Sequence, residues 1–224
     1  MSIHYHRELE RLRKSVLAEG ARVEDMLVRA IRALMERDLA LAEDTMSRDN
    51  DIDRMEIDVE EDCLKILALH QPVAQDLRFI VTVLKMNNDL ERMADIAANI
   101  AKRARYLAKR EPLGWPEEIE ALAINTKAMV KQSLDSLIQS DVELAREVCA
   151  ADATVNRQKS RIIEQIRERM KAEPQNIETL LKMIDVPRHL ERIADLSTNI
   201  AEDVAYMVEG RIIRHSRLND DENS

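Results

Sequence analysis

The sequence predicts an all-α protein made of two similar antiparallel three-helix bundles, six long helices in all, arising from an internal duplication. Composition predicts the class. Among 224 residues only 3 are Gly, 5 Pro and 5 aromatic, while about a third are charged. Sheets and their turns draw on Gly, aromatic and β-branched residues, so a β-rich fold is nearly excluded. Apolar residues recur at helical spacing in six blocks, and the second three blocks restate the first three.

The blocks follow in order. Leu9, Leu12, Val16, Val23, Leu27, Ile31 and Leu34 mark a first helix, with Gly20 as a weak spot inside it. Met46, Ile52, Met55, Val59, Cys63 and Ile66 mark a second, which ends near His70-Gln71-Pro72. Val73, Leu77, Ile80 and Leu84 open a third, which runs to about Arg110. Glu111-Pro112-Leu113-Gly114-Trp115-Pro116 then breaks the chain. Ile119, Leu122, Met129 and Leu137 give a fourth helix; Val142, Val148, Val155, Ile162 and Ile166 give a fifth, up to Pro174. Ile177, Leu181, Ile184, Leu190, Ile193, Ile200, Val204 and Met207 give the sixth, with Pro187 expected to kink it.

The duplication is written in the residues. Asp89-Leu-Glu-Arg-Met-Ala-Asp-Ile-Ala-Ala-Asn-Ile-Ala101 matches His189-Leu-Glu-Arg-Ile-Ala-Asp-Leu-Ser-Thr-Asn-Ile-Ala201 at eight of thirteen positions, 100 residues apart. Asp38/Asp141, Asp49/Asp152 and Ile52/Val155 pair at an offset of 103. The domains expected are 1–111, a linker at 112–116, and 117–224 with a polar C-terminal tail. Short turns between amphipathic helices make each half an antiparallel bundle.

A net charge of −9 argues against direct nucleic-acid binding. The chain has no apolar run near the ~20 residues of a membrane span and no hydrophobic signal region at its start, which predicts a cytoplasmic protein. Cys63 and Cys149 read as reduced core residues. Three glycines build no phosphate-cradling loop, and no nucleophile–base pairing is discernible. The expectation is a rigid bundle without a pocket, working through its surfaces.

The polar set Glu91, Asp95, Asn99 recurs as Glu191, Asp195, Asn199, stepping by four along one stripe of a helix. Carboxylates four apart repel unless a cation relieves them. The second helix carries a further acidic row at Asp49, Asp53, Glu56 and Glu60. Two such rows side by side offer oxygen ligands to hard cations such as Mg, Mn, Ca or Fe(III). A solvated helix face, with Lys102 and Arg188 pairing three residues away, explains the same stripe. The matching row of the second half reads Asp152, Asn156, Lys159 and is weaker.

On these residues the chain resembles the PhoU family. The resemblance rests on Asp89-Leu-Glu-Arg-Met-Ala-Asp95, its duplicate Leu190-Glu-Arg-Ile-Ala-Asp195, Gln71-Pro-Val-Ala-Gln-Asp-Leu-Arg78, Arg48-Asp-Asn-Asp-Ile-Asp53 and the ending Glu209-Gly-Arg-Ile-Ile-Arg-His215. It implies surface metal clusters, of iron or zinc in some members, with ligands at Asp49, Asp53, Glu91 and Asp95, then Asp152, Glu191 and Asp195. Asn99 and Asn199 complete the candidate metal set, for Fe, Zn, Mn or Mg. It also implies a non-catalytic regulator. Such a protein restrains phosphate uptake and starvation signalling by contacting the ATPase subunit of the phosphate ABC transporter and the phosphate sensor histidine kinase. A second copy in a homodimer is expected, and the membrane is met only through partners. The rival readings are a metal-dependent phosphohydrolase, a metal-storage bundle, or a helical scaffold without ligand.

Overall fold

The computed structural model describes residues 3–210. The tail, with Arg211 to His215 of the expected ending, lies outside the described residues. The first bundle comprises α1 (Ile3–Glu36), α2 (Leu39–Ser47), α3 (Asp49–His70) and α4 (Ala74–Ala108). The second comprises α5 (Glu118–Gln139), α6 (Val142–Ala172) and α7 (Ile177–Glu209), with a single 3₁₀ turn at Pro174–Asn176. The expected second helix is therefore interrupted. Arg48 separates α2 from α3, whereas its counterpart α6 runs unbroken.

The two halves share their turns as well as their helices. Arg37 and Ser140, 103 residues apart, both take the left-handed backbone (φ 57° and 51°). Each is followed by an aspartate that caps the next helix: Asp38 accepts from the Leu41 N–H at 2.9 Å, Asp141 from the Leu144 N–H at 3.1 Å. The side chain satisfies an amide that the first turn leaves orphaned. In the first bundle α3 stops at Gln71, also left-handed (φ 46°), because Pro72 offers no N–H to carry the helix on. Pro187, by contrast, sits buried inside an α7 that continues through it.

A single apolar core runs through both bundles, with Leu12, Met26, Ile80, Leu90, Leu122 and Met129 fully buried. The bundles meet along α4 and α7. Arg78 Nε donates to the Met207 carbonyl at 3.1 Å, Lys85 Nζ lies 3.2 Å from Asp203 Oδ1, and Arg103 Nε 2.8 Å from Asp185 Oδ2. Rising numbers on α4 meet falling numbers on α7, so the two helices are antiparallel. Ala94, Ala97, Ala101, Ala194, Ser197 and Ala201 are buried on these helices, and small side chains allow close approach. Gly20 is no mere weak spot. A Cβ there would lie 2.7 Å from Leu134 Cδ2 of α5, so the missing side chain makes room for the other bundle.

The linker is held rather than slack. Arg169 of α6 donates to the Leu113 and Gly114 carbonyls at 2.7 and 2.9 Å. Cys63 is buried and Cys149 half-buried, and no disulfide joins them.

The expectation of a bundle without a pocket is corrected. A surface cleft of about 580 Å³ opens at the α3–α4 turn, lined by Tyr5, His70 and residues 71–76. The turn forms it by leaving the helical path for three residues between α3 and α4, which opens space beside the end of α1.

Candidate metal centre

The two acidic rows of the first bundle lie side by side, as helical spacing expects. Asp49 and Asp53 stand on the first turns of α3; Glu91 and Asp95 stand on the middle of α4. Their proximity shows in how each charge works on the others. Burial, then the charges of Asp95 and Asp53, push Asp49 above the usual carboxylate range, against a smaller pull from Lys102. Burial and the charges of Asp95, Glu56, Asp53 and Asp49 push Glu91 the same way. Asp95 is exposed, while Asn99 is half-buried and accepts from Lys102 Nζ at 3.3 Å. This edge is negative, partly dehydrated and short of cations.

The second bundle places its copies equivalently but settles their charge differently. Lys159, where the first half has Glu56, puts Nζ 2.9 Å from Glu191 Oε1, with both side chains largely covered (23% and 19% exposed). Arg188 is the neighbour that sequence spacing favours for Glu191; the cation bonded to it is Lys159. Asn156 Nδ2 donates to Asp152 Oδ2 at 3.0 Å. Burial, with Glu191 and Asp152 nearby, pushes Asp195 up to about 6, and Lys159 draws it back. Asn199 is half-buried one turn further along.

Among the described residues no three His, Cys, Asp or Glu side chains are already gathered about one point as a metal would have them. The donor sets nonetheless differ in fit. In the first bundle, Asp49, Asp53, Glu91 and Asp95 are four mutually repelling hard oxygen donors, the chemistry that suits a divalent or trivalent cation. A bound cation would supply charge neutralisation there. In the second bundle an ammonium already stands against Glu191, so Asp152, Glu191, Asp195 and Asn199 do not fit a metal as they are arranged.

Sequence spacing overlooked one acidic residue that the structure brings to the first edge. Glu19 of α1 is fully buried (0% exposed), and burial together with Glu56 and Glu91 pushes it up to about 8. The signal was present. Glu19 stands three residues after Val16 and four before Val23, which puts it on the core face of its helix.

Known proteins carry the same doubled unit. A model of the PhoU domain matches residues 16–104 and, a second time, residues 119–204. The chain belongs to the PhoU family. The phosphate-specific transport system accessory protein PhoU homolog of Pseudomonas aeruginosa is 36% identical over 220 residues, covering 97% of this chain and 90% of that one. A crystal structure of PhoU from Pseudomonas aeruginosa superposes with a TM-score of 0.90 at 36% identity, over 92% of this chain and all (100%) of the other. The phosphate transport system regulatory protein PhoU from Streptococcus pneumoniae does so at 0.87 and 27% identity, over 93% and 99%. The family model brackets the features described above. Both carboxylate edges, both capped turns and the α4–α7 contact at Lys85–Asp203 fall within the two PhoU repeats.

Proposed function

We propose that this chain is a non-catalytic regulator of phosphate transport, restraining uptake and starvation signalling when phosphate is plentiful. The observation that carries this reading is likeness over nearly the whole chain to a phosphate-specific transport system accessory protein. Likeness in fold to the phosphate transport system regulatory protein PhoU from Streptococcus pneumoniae supports it. The chain works by contact: with the ATPase subunit of the phosphate ABC transporter, with the phosphate sensor kinase, and with a second copy of itself. The described helices include none long and apolar enough to cross a membrane, so on this reading the membrane is met through those partners.

The surface supplies a face for such contact. Ile57 and Leu64, seven apart on α3, share one outward stripe and are each about half exposed (52% and 53%). Leu69 and Val73 follow at the α3–α4 turn, at 63% and 75% exposure, beside the cleft. Exposed apolar side chains strung along α3 and its following turn suit a protein partner.

Removing the gene is expected to leave phosphate uptake and alkaline phosphatase high in phosphate-rich medium. Radiolabelled phosphate uptake and phosphatase assays check it; normal repression in the deletion strain would sink the regulator reading. Leu69→Asp combined with Val73→Asp is expected to reproduce much of that phenotype while the circular dichroism stays helical, because both side chains already face water. Full repression by this variant would remove the turn from the contact surface.

A further inference from the structure

Where α4 meets α7, the duplication brings one helix against its own copy, and the copy has changed sign. Positions 100 residues apart are equivalent in the two helices, so Lys85 matches Asp185 and Arg103 matches Asp203. The ion pairs Lys85–Asp203 (3.2 Å) and Arg103–Asp185 (2.8 Å) are therefore one contact made twice. In both, the cation stands on α4 and the carboxylate on α7. A third matched position follows the same rule. Arg78 of α4 donates Nε to the Met207 carbonyl at 3.1 Å, near the end of α7. Its counterpart Glu178 accepts from Tyr106 Oη at 2.8 Å and lies 3.7 Å from Arg110, just past the end of α4.

Residues 78, 85 and 103 lie about two and five helical turns apart, so they share one stripe, and 178, 185 and 203 share another. One stripe is cationic and the other anionic. Between the charged positions the two helices are much alike, with eight of thirteen residues identical over 89–101 and 189–201. Helices so similar could each pack against its own copy. In the same antiparallel register, α4 against the α4 of a second chain would set Lys85 against Arg103, twice over. α7 against α7 would set Asp185 against Asp203 in the same way. Asp203 is buried and the other three side chains are less than half exposed (42%, 31% and 28%), so water screens these charges only in part.

We propose that the reversed charges are a recognition code, by which the α4 stripe accepts α7 and refuses another α4. Opposite charges hold the native pairing in register, and like charges exclude the two pairings that the duplication would otherwise allow. Specificity of this kind needs the repulsive element as well as the attractive one. Lys85 and Arg103 on α4, with Asp185 and Asp203 on α7, are its determinants. Two chains that meet through these faces are left one arrangement, the exchange of bundles, with α4 of each on an α7 of another. The code stands apart from the regulator reading and does not need it.

The test turns one pair round without breaking either. Arg103→Asp combined with Asp185→Arg keeps both contacts matched within the chain. It leaves α4 with one cation and one carboxylate, so α4 now matches α4 and α7 matches α7. Arg103→Asp alone sets two carboxylates face to face and serves as the broken control. Full-length wild type and both variants are melted by calorimetry. They are then refolded from urea at high protein concentration and sized by gel filtration with light scattering. The control is expected to lose about 3 °C or more in Tm, and the turned pair to regain most of that loss. The turned pair is also expected to refold with several-fold more chain-linked oligomer than wild type. Oligomer no greater than in wild type would overturn the code, because the charges would then stabilise the contact without choosing it. A turned pair as unstable as the control would overturn it too, by showing that the two positions do not read each other's charge. Neither result would touch the phosphate-regulation phenotype, which the deletion strain reads independently.

Discussion

Glu19→Leu is expected to stabilise the metal-free protein by about 3 kcal/mol at pH 7 and by much less near pH 4. The carboxyl is pushed from its ordinary value of 4.5 up to about 8 by burial and by Glu56 and Glu91. Between those values the folded chain holds a proton that the unfolded chain has released. Native stability therefore falls as pH rises through this window, by at most about 1.4 kcal/mol per pH unit, and levels off once both states are ionised above about pH 8. The leucine variant lacks that slope. Its advantage opens above about pH 4.5 and is complete beyond about pH 8. Asp49, Glu91 and Asp195 are pushed upward as well, so both proteins keep a shared residual slope and the difference between them isolates Glu19. Urea unfolding across pH 4 to 9, in the presence of a chelator, measures it. Parallel curves for the two proteins would contradict the burial argument.

The second large effect is expected at Lys159. Its ammonium, 2.9 Å from Glu191 Oε1 and largely covered, is the counter-charge for Glu191 and Asp195. Removing one partner of a covered pair leaves the other charge without compensation. A fully buried pair loses about 3–5 kcal/mol this way, and partial solvent access brings the figure here to about 2 kcal/mol for Lys159→Met. The loss is expected to grow as pH rises through 6. Asp195 is pushed up to about 6 even with Lys159 drawing it down, and without Lys159 it rises further, so ionising it in the folded state becomes more costly. The same variant lays bare a carboxylate edge like that of the first repeat. Added Mn2+ is therefore expected to restore part of the lost stability. A variant as stable as the parent, with no response to Mn2+, would show that the ammonium carries no structural weight.

Much of the fold was legible because duplication doubles every signal. The Asp38/Asp141 pair announced two equivalent caps, and the thirteen-residue match announced two equivalent helices in the positions where α4 and α7 now lie against each other. The break at Arg48 was not legible, since it takes a single residue whose own backbone stays in the right-handed helical region (φ −81°, ψ −12°). Nor was the cleft. It is made by backbone leaving the helical path around Pro72, which periodicity does not register. The acidic rows were legible as rows. Their different fates were not, because Lys159 reads along the chain as one more substitution, while in space it is a cation placed against Glu191. Glu19 could have been found by asking which charged residue stands on a core face, a question that a search for exposed stripes never poses.

Two edges of common descent now differ in their charge, one open and one answered from within. Counting Mn2+ bound at equilibrium by wild-type protein, Asp95→Asn and Asp195→Asn tests that difference most directly. Asp95→Asn is predicted to bind fewer ions than wild type and Asp195→Asn as many; equal losses in both variants, or no ion on the wild-type chain, would contradict it.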